Sequence, residues 1–373
     1  MFRTLVATLV FFAGPAALAQ QPPSVIARAW VLADLSSGQI LATEKPDERF
    51  EPASLTKLMT AYVVFGALKE KKIALDQQVT VSERTRRAPG SRMFIDPRKP
   101  VSVDELIRGM VIQSGNDACI ALAELIAGAE ETFAGLMNRE AARLGMKNTK
   151  FMNSSGLPDP QHYSTARDLQ VLAAALIRDF PAQYGQYYSQ KEFRYNNISQ
   201  PNSNRLLWVD PSVDGVKTGH TEAAGYCLIA SSRRGGRRLL SVLLGSTSEA
   251  ARAQESLKLL NWGYQFYDSV KLYSAATPVK QIEVWKGAAR HVNVGVGSDL
   301  FVTVPKGEAE KLQAELVSQQ PLEAPLTKGQ RVGVLRVTYD DKPLGEYPLI
   351  ALEPVAQAGL FGRTWDTLRL WLK

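Results

Sequence analysis

Pro52-Ala53-Ser54-Leu55-Thr56-Lys57-Leu58-Met59-Thr60 is the stretch on which the reading of this chain turns. It opens a run, Leu55 to Leu68, that is apolar almost all round. Such a run predicts a helix buried inside a domain. At its head Ser54 and Lys57 stand three residues apart, the spacing that puts two side chains on one helical face. A partly buried lysine beside a second cation loses affinity for its proton and can then accept one from a hydroxyl. The pair is therefore a candidate nucleophile and base. The same tetrad also occurs at ordinary helix starts, so its meaning depends on what accompanies it.

Two further triplets accompany it. Ser114-Gly115-Asn116 breaks a helical pattern that runs from Val103 to Gly128, and side chains at such a break can point into a cleft. Lys217-Thr218-Gly219, followed by His220 and Thr221, enters a β-rich stretch. A small residue after Lys-Thr would let a substrate backbone approach a strand edge closely. Taken singly, the triplets read as a capping turn and an exposed strand end. In this order, each in its expected local structure, the three point to a Ser-Lys hydrolase. The commoner solutions have no support. The three histidines, His162, His220 and His291, fall in no H-E-x-x-H, and no G-x-S-x-G occurs. No metal and no organic cofactor is expected.

Outward from these motifs, Ser24 to Leu32 reads as a strand and Asp34 to Gly38 as a turn, with Gln39 to Ala42 returning. Asn148 to Tyr163 is turn-rich, and Ser164 to Arg178 is helical. Gly225 to Ser231 and Leu239 to Gly245 are apolar runs joined by Arg234-Gly235-Gly236-Arg237, a hairpin signal because paired glycines accept positive φ. Ala251 to Tyr267 reads as a helix on the sheet. Strands at both ends of a helical middle predict one α+β domain over residues 20–270. The character then changes. Short β-prone runs at Val279–Val284, His291–Val296, Leu300–Val304, Arg331–Tyr339 and Gly345–Leu352 predict a small all-β domain over 271–355, with no catalytic constellation of its own.

The two ends carry targeting signals. Met1-Phe2-Arg3, an apolar run from Leu5 to Ala13, and Ala17-Leu18-Ala19 read as a signal peptide over 1–19. The run is shorter than the roughly 20 residues a spanning anchor needs. In the last stretch, 356–373, Leu360, Phe361, Trp365, Leu368, Trp371 and Leu372 share one helical face. Arg363, Asp366, Arg369 and Lys373 share the other. This predicts a helix lying in an anionic membrane interface through residues 360–373, the alternative being a helix docked on its own protein.

Composition bounds the rest. A chain of 373 residues buries a sizeable core without disulfides, and Cys119 and Cys227, each in an apolar run, read as buried thiols. The net charge of +7 suits an anionic surface. The arginine clusters Arg84, Arg86, Arg87 and Arg233, Arg234, Arg237, Arg238 lack the interleaved aromatics of a nucleic-acid platform and read as solvated loops and turns. No nucleic-acid partner is expected.

The motifs, extended to Gln113-Ser114-Gly115-Asn116-Asp117-Ala118 and Asp214-Gly215-Val216-Lys217-Thr218-Gly219-His220-Thr221, resemble those of the low-molecular-mass penicillin-binding proteins, specifically the serine-type D-alanyl-D-alanine carboxypeptidases. The β-rich second domain and the amphipathic tail fit the same family. The resemblance implies a penicillin-binding, serine β-lactamase-like transpeptidase domain followed by the all-β domain and the helix. It implies removal of the terminal D-alanine from peptidoglycan pentapeptides, acylation by β-lactams, and a periplasmic site on the outer face of an inner membrane. It also implies residue roles. Ser54 would be the nucleophile, Lys57 its base and Ser114 a proton relay near Lys57 and Lys217. Asn116 would hold the substrate peptide group. Lys217, Thr218, Gly219 and His220 would form the substrate-binding strand, and Arg252 would be a further carboxylate partner. The backbone N–H groups of Ser54 and His220 would form the oxyanion hole. The loop from Ser82 to Pro100 leads towards this site. Two alternatives stay open: a D,D-endopeptidase, and a non-catalytic scaffold that binds penicillin. A class A β-lactamase would need an E-x-x-L-N stretch, and none occurs between Asp117 and Val216.

Overall fold

The computed structural model describes residues 21–371 apart from Pro97 and Gln319. The predicted leader, and Leu372 and Lys373 of the predicted tail, lie outside these residues.

The strand β1 (Ala29–Asp34) shows how the first domain is layered. All six residues are buried, and they alternate between two cores. Val31 and Ala33 join one, Trp30 and Leu32 the other, as the two-residue period of a strand covered on both faces requires. β2 (Ile40–Glu44), β3 (Val213–Thr221), β4 (Gly225–Arg234) and β5 (Arg237–Ser246) complete the sheet. Its order is β2-β1-β5-β4-β3 with antiparallel pairing throughout, so β3 is an edge strand. Gly235 and Gly236 turn the β4–β5 hairpin with φ of +55° and +85°.

Between β2 and β3 the chain builds a helical lobe on one face: α1 (Lys57–Lys69), α2 (Val103–Val111), α3 (Asn116–Ala127), α4 (Glu130–Leu144) and α5 (Ala166–Asp179). α1 packs against the other four, which is why its sequence is apolar almost all round. α4 is an addition to the predicted elements. Phe133, Met137 and Ala141 recur every four residues and give it a narrow buried stripe. α6 (Glu249–Phe266) covers the opposite face of the sheet.

The second region begins at Tyr267 rather than at 271. β6 (Tyr267–Tyr273) leaves α6 directly and belongs with the strands that follow: β7 (Lys280–Glu283), β8 (His291–Gly295), β9 (Leu300–Pro305), β10 (Leu312–Ser318), β11 (Arg331–Tyr339) and β12 (Lys342–Ala351). β6 pairs with β9, and the rest form a sheet of order β7-β8-β12-β11-β10. Residues 355–358 still bond to this region, through Val355 to Leu326 and Ala358 to Lys286. The final helix is α7 (Leu360–Trp371).

A buried polar cluster joins the two regions. The Asp34 carboxylate, wholly inaccessible, accepts from Arg237 Nε at 2.7 Å and from Thr303 Oγ1 at 2.9 Å. Arg237 also donates to the Tyr267 carbonyl, and Gln39 bridges to the Thr303 main chain from both ends of its amide. This corrects the reading of the second arginine cluster as solvated. Arg237 is inside the interface, and Arg238 pairs with Asp214 at 2.7 Å with most of its side chain covered. The chain folds back at the hairpin so that both residues face protein rather than water. Cys119 and Cys227 are buried and unpaired.

Candidate active site

Ser54 does not sit on the α-helix itself. It lies in a 3₁₀ turn, Ala53–Thr56, that leads into α1. With three residues per turn, side chains at i and i+3 eclipse, which sets Ser54 directly over Lys57. Ala53 holds φ at +48°, a left-handed backbone for a residue with a Cβ. Ser114, in the turn between α2 and α3, holds φ at +66°. Such conformations cost about 1–3 kcal/mol each and persist only where the surroundings enforce them. Part of the enforcement at Ala53 is visible. Gly156 packs so closely that a Cβ there would lie 1.8 Å from the Ala53 carbonyl oxygen.

Lys57 is the centre of the cleft. It is 2% exposed, and its amine contacts three oxygens: Ser54 Oγ at 3.0 Å, Asn116 Oδ1 at 2.7 Å and the Ser155 carbonyl at 2.6 Å. Burial lowers its proton affinity, while Cys119, Asp117 and Glu130 oppose that shift. The orientation of the Asn116 amide follows from its partners. Lys57 can only donate to it and the Pro89 carbonyl, 2.7 Å from Nδ2, can only accept. Asn116 therefore first positions Lys57, and one Nδ2 hydrogen is left to meet the peptide group it was expected to hold. Ser114 Oγ is buried and makes no hydrogen bond among the described residues, so the expected contact with the lysines is not formed here. Contacts of this kind often tighten only when substrate binds.

The opposite wall is the edge strand β3. Lys217 and Thr218 are buried on it. Burial, followed by the nearby Lys57 charge, pushes Lys217 down to about 7, with Arg252 acting in the same direction and Cys119 against it. Gly219 also has a close neighbour within the chain. A Cβ there would lie 3.2 Å from the Pro52 carbonyl oxygen and 3.3 Å from Ala53 Cβ, so its smallness brings β3 onto the Ala53–Thr56 turn. Arg252 reaches across from α6, 4% exposed, donating to the Gly219 carbonyl at 3.3 Å and to Glu249 at 3.4 Å. The His220 ring is exposed and leans on Tyr226, with centroids 4.2 Å apart. Lys57 and Arg252 thus both act on Lys217 beside a half-buried serine, an arrangement suited to a substrate that ends in a carboxylate.

The structure adds residues that the motifs did not name. The 153–157 loop supplies the Ser155 carbonyl. Glu130, 4% exposed, anchors that loop by accepting from Ser154 N at 3.0 Å and Ser154 Oγ at 2.6 Å, and pairs with Arg84 at 2.7 Å. Asp117 accepts from the main-chain N–H groups of Met93, Phe94 and Ile95, which pins the loop leading in from Ser82. His162 donates from Nε2 to Thr56 Oγ1 at 2.9 Å and accepts from Met152 N at Nδ1, so it is neutral; burial pushes it down to about 4. Asn153 followed three residues later by Gly156 is a legible turn signal. Nothing local reveals that the turn faces Lys57.

Fold and site together define an acyl-transferring serine hydrolase of the Ser-Lys type. The family model for D-alanyl-D-alanine carboxypeptidase matches residues 16–248, and that for the penicillin-binding protein 5 C-terminal domain matches 267–357. D-alanyl-D-alanine carboxypeptidase DacC of Escherichia coli K12 is 47% identical over 372 residues, covering 96% of this chain and 92% of that protein. Penicillin-binding protein 5 from Haemophilus influenzae superposes with a TM-score of 0.86 at 41% identity, over 91% of this chain and 100% of that one. Penicillin-binding protein D2 from Listeria monocytogenes, in its ampicillin-bound form, matches 66% of this chain and 100% of that one, with a TM-score of 0.60 at 30% identity. The chain belongs to the D-alanyl-D-alanine carboxypeptidase family.

Proposed function

We propose that this chain removes the terminal D-alanine from peptidoglycan stem pentapeptides through an acyl-enzyme on Ser54. The observation that carries this reading is the contact between the buried Lys57 amine and Ser54 Oγ at 3.0 Å, facing the cations of β3 and α6. Lys57 takes the Ser54 proton as the oxygen attacks the carbonyl carbon of the penultimate D-alanine. The tetrahedral oxyanion is held by the N–H groups of Ser54 and His220, donors worth about 3 kcal/mol each in such sites. Collapse breaks the peptide bond, and Ser114 passes a proton to the departing amine of the last D-alanine. Water then attacks the ester and frees Ser54. Lys217, Thr218 and Arg252 hold the terminal carboxylate. A β-lactam presents the same amide within a ring, so it acylates Ser54 and its leaving group stays tethered.

The protein works outside the cytoplasm, after removal of a leader, on the outer face of an inner membrane. Support for the membrane surface comes from α7. Asp366 accepts from Lys286 N at 2.8 Å and Arg369 lies over the Trp285 ring, so the polar side is docked on the β region. The apolar side, with Phe361 92% and Trp371 88% exposed, faces outward. A helix docked for its own stability would present the reverse. No described helix is long and apolar enough to cross a membrane.

The test is the intact mass of purified protein after benzylpenicillin, for wild type and Ser54→Ala, alongside D-alanine release from a pentapeptide. One penicilloyl adduct lost in Ser54→Ala, with D-alanine released by the wild type, is the expected result. An adduct without D-alanine release would favour the scaffold. No adduct and no release would remove the Ser-Lys assignment.

A further inference from the structure

Resting on that reading of Ser54 and Lys57, a further residue acquires a role. A neutral amine has two N–H donors and one lone pair. Around Lys57, Asn116 Oδ1 and the Ser155 carbonyl accept only, while Ser54 Oγ can also donate. When the two acceptor-only oxygens take the two N–H groups, the lone pair is left aimed at the Ser54 hydroxyl. The aim is as good as the placement of those two oxygens. Asn116 is fixed by Pro89 and by its position at the start of α3. The Ser155 carbonyl is on a loop, and loops hold position only when something internal ties them.

That tie is the Asn153 side chain. Its Oδ1 accepts from three successive main-chain N–H groups, Ser155 at 3.2 Å, Gly156 at 2.7 Å and Leu157 at 3.1 Å, and its Nδ2 donates to the Leu157 carbonyl at 2.9 Å. The loop so wound is clamped on both sides. Ser154 is held by Glu130, and its carbonyl accepts from Thr60 at 2.6 Å. Gly156, at φ +85°, lies against the Ala53 carbonyl, where no side chain fits.

We infer that Asn153 is a positioning residue for acylation: by winding the 153–157 loop it fixes the Ser155 carbonyl, which with Asn116 directs the Lys57 lone pair at Ser54. In the step it serves, the Ser54 O–H bond breaks and the proton passes to Lys57 Nζ. The oxygen's electron pair forms the bond to the substrate carbonyl carbon. The charged and titratable groups facing Lys57 are Asp117 and Cys119 of α3, Glu130 of α4 and Lys217 of β3, none of which contacts Asn153 through a hydrogen bond.

The experiment is stopped-flow acylation by benzylpenicillin across pH, resolved into the pre-covalent dissociation constant and the acylation rate constant. Asn153→Ala is expected to lower the rate constant about 10–100-fold with the dissociation constant unchanged, since displacements near 1 Å cost that much. Its acid limb should move to lower pH. A fixed carbonyl oxygen favours the ammonium form of Lys57, and loosening it reduces the lysine's hold on the proton. Asn153→Asp keeps the accepting oxygen but sets a second acceptor against the Leu157 carbonyl and adds a charge, so it should recover part of the rate. If Asn153→Ala does not melt cooperatively, Asn153→Ser, which can accept fewer of the three N–H groups, replaces it with the same expectation. Wild-type acylation by the variant at an unmoved acid limb would overturn the inference, as would an Asn153→Asp enzyme equally slow while melting like the wild type. Absence of any adduct on wild-type Ser54 would instead overturn the proposed function, so the two failures are separable.

Discussion

The cleft and the tail break the same rule in opposite directions. The cleft takes Lys57, Lys217 and Arg252, groups that water stabilises, and covers them to 4% exposure or less. The tail takes Phe361, Trp365 and Trp371, groups that water disfavours, and leaves them 92%, 62% and 88% exposed. Neither arrangement helps the chain fold. Buried charge is expensive unless paired, and a contiguous apolar face in water invites association. In the site burial lowers the proton affinity of Lys57 and takes Lys217 down to about 7. On the tail the exposure leaves an apolar surface, the one that the proposed membrane contact would cover. The regions between them, the sheet and its two cores, obey the rule and provide the stability that both exceptions draw on.

The comparison can be tested at each end. Lys57→Ala removes the base and should lower D-alanine release about 10²–10⁴-fold, measured with a soluble pentapeptide. A variant near wild-type rate would mean that burial of this amine serves no proton transfer. At the other end, the triple change Phe361→Ser, Trp365→Ser, Trp371→Ser should weaken partition onto phosphatidylglycerol vesicles by about a thousandfold or more, taking each large apolar group at the lower end of its transfer free energy. Soluble-peptide activity should stay unchanged, which a sedimentation assay run beside the kinetics will show. Equal partition of both proteins would return the tail to the docked-helix alternative.

The link between the regions gives the next effect. Asp34→Ala leaves Arg237 in the interface without its counter-ion, and breaking such a pair costs about 3–5 kcal/mol. Denaturant unfolding should show this loss, together with separation of one transition into two if the cluster is what couples the domains. The last effect concerns pH. Lys217 falls from 10.5 to about 7 on folding. Between these values the unfolded chain binds a proton that the folded chain does not, so stability rises with pH across that window. Lys217→Met removes this residue's share of the slope. Its melting temperature should gain most over the wild type at pH 6 and least at pH 10. A constant difference would show that Lys217 is not held low by its surroundings.

The amino-acid sequence by itself determined whatever depends on neighbours within one element. The three-residue spacing put Ser54 over Lys57, the all-round apolar run made α1 a buried axis, the paired glycines made the β4–β5 turn, and the helical period put Phe361 and Trp365 on one side of α7. The stripe of α4 was equally legible, though narrow. The tertiary structure decided everything that depends on convergence. Asn116 meets Lys57 from 59 positions away and Ser155 from 98, and no local pattern specifies either contact. It also turned Arg237 from an apparent surface charge into an interface residue and moved the domain boundary to Tyr267. It set Gly219 against the Ala53–Thr56 turn as well. The reason is physical. Periodicity and propensity act through the few ångströms between adjacent residues, whereas a buried amine's proton affinity is set by which oxygens and charges the packing of separate elements brings within reach.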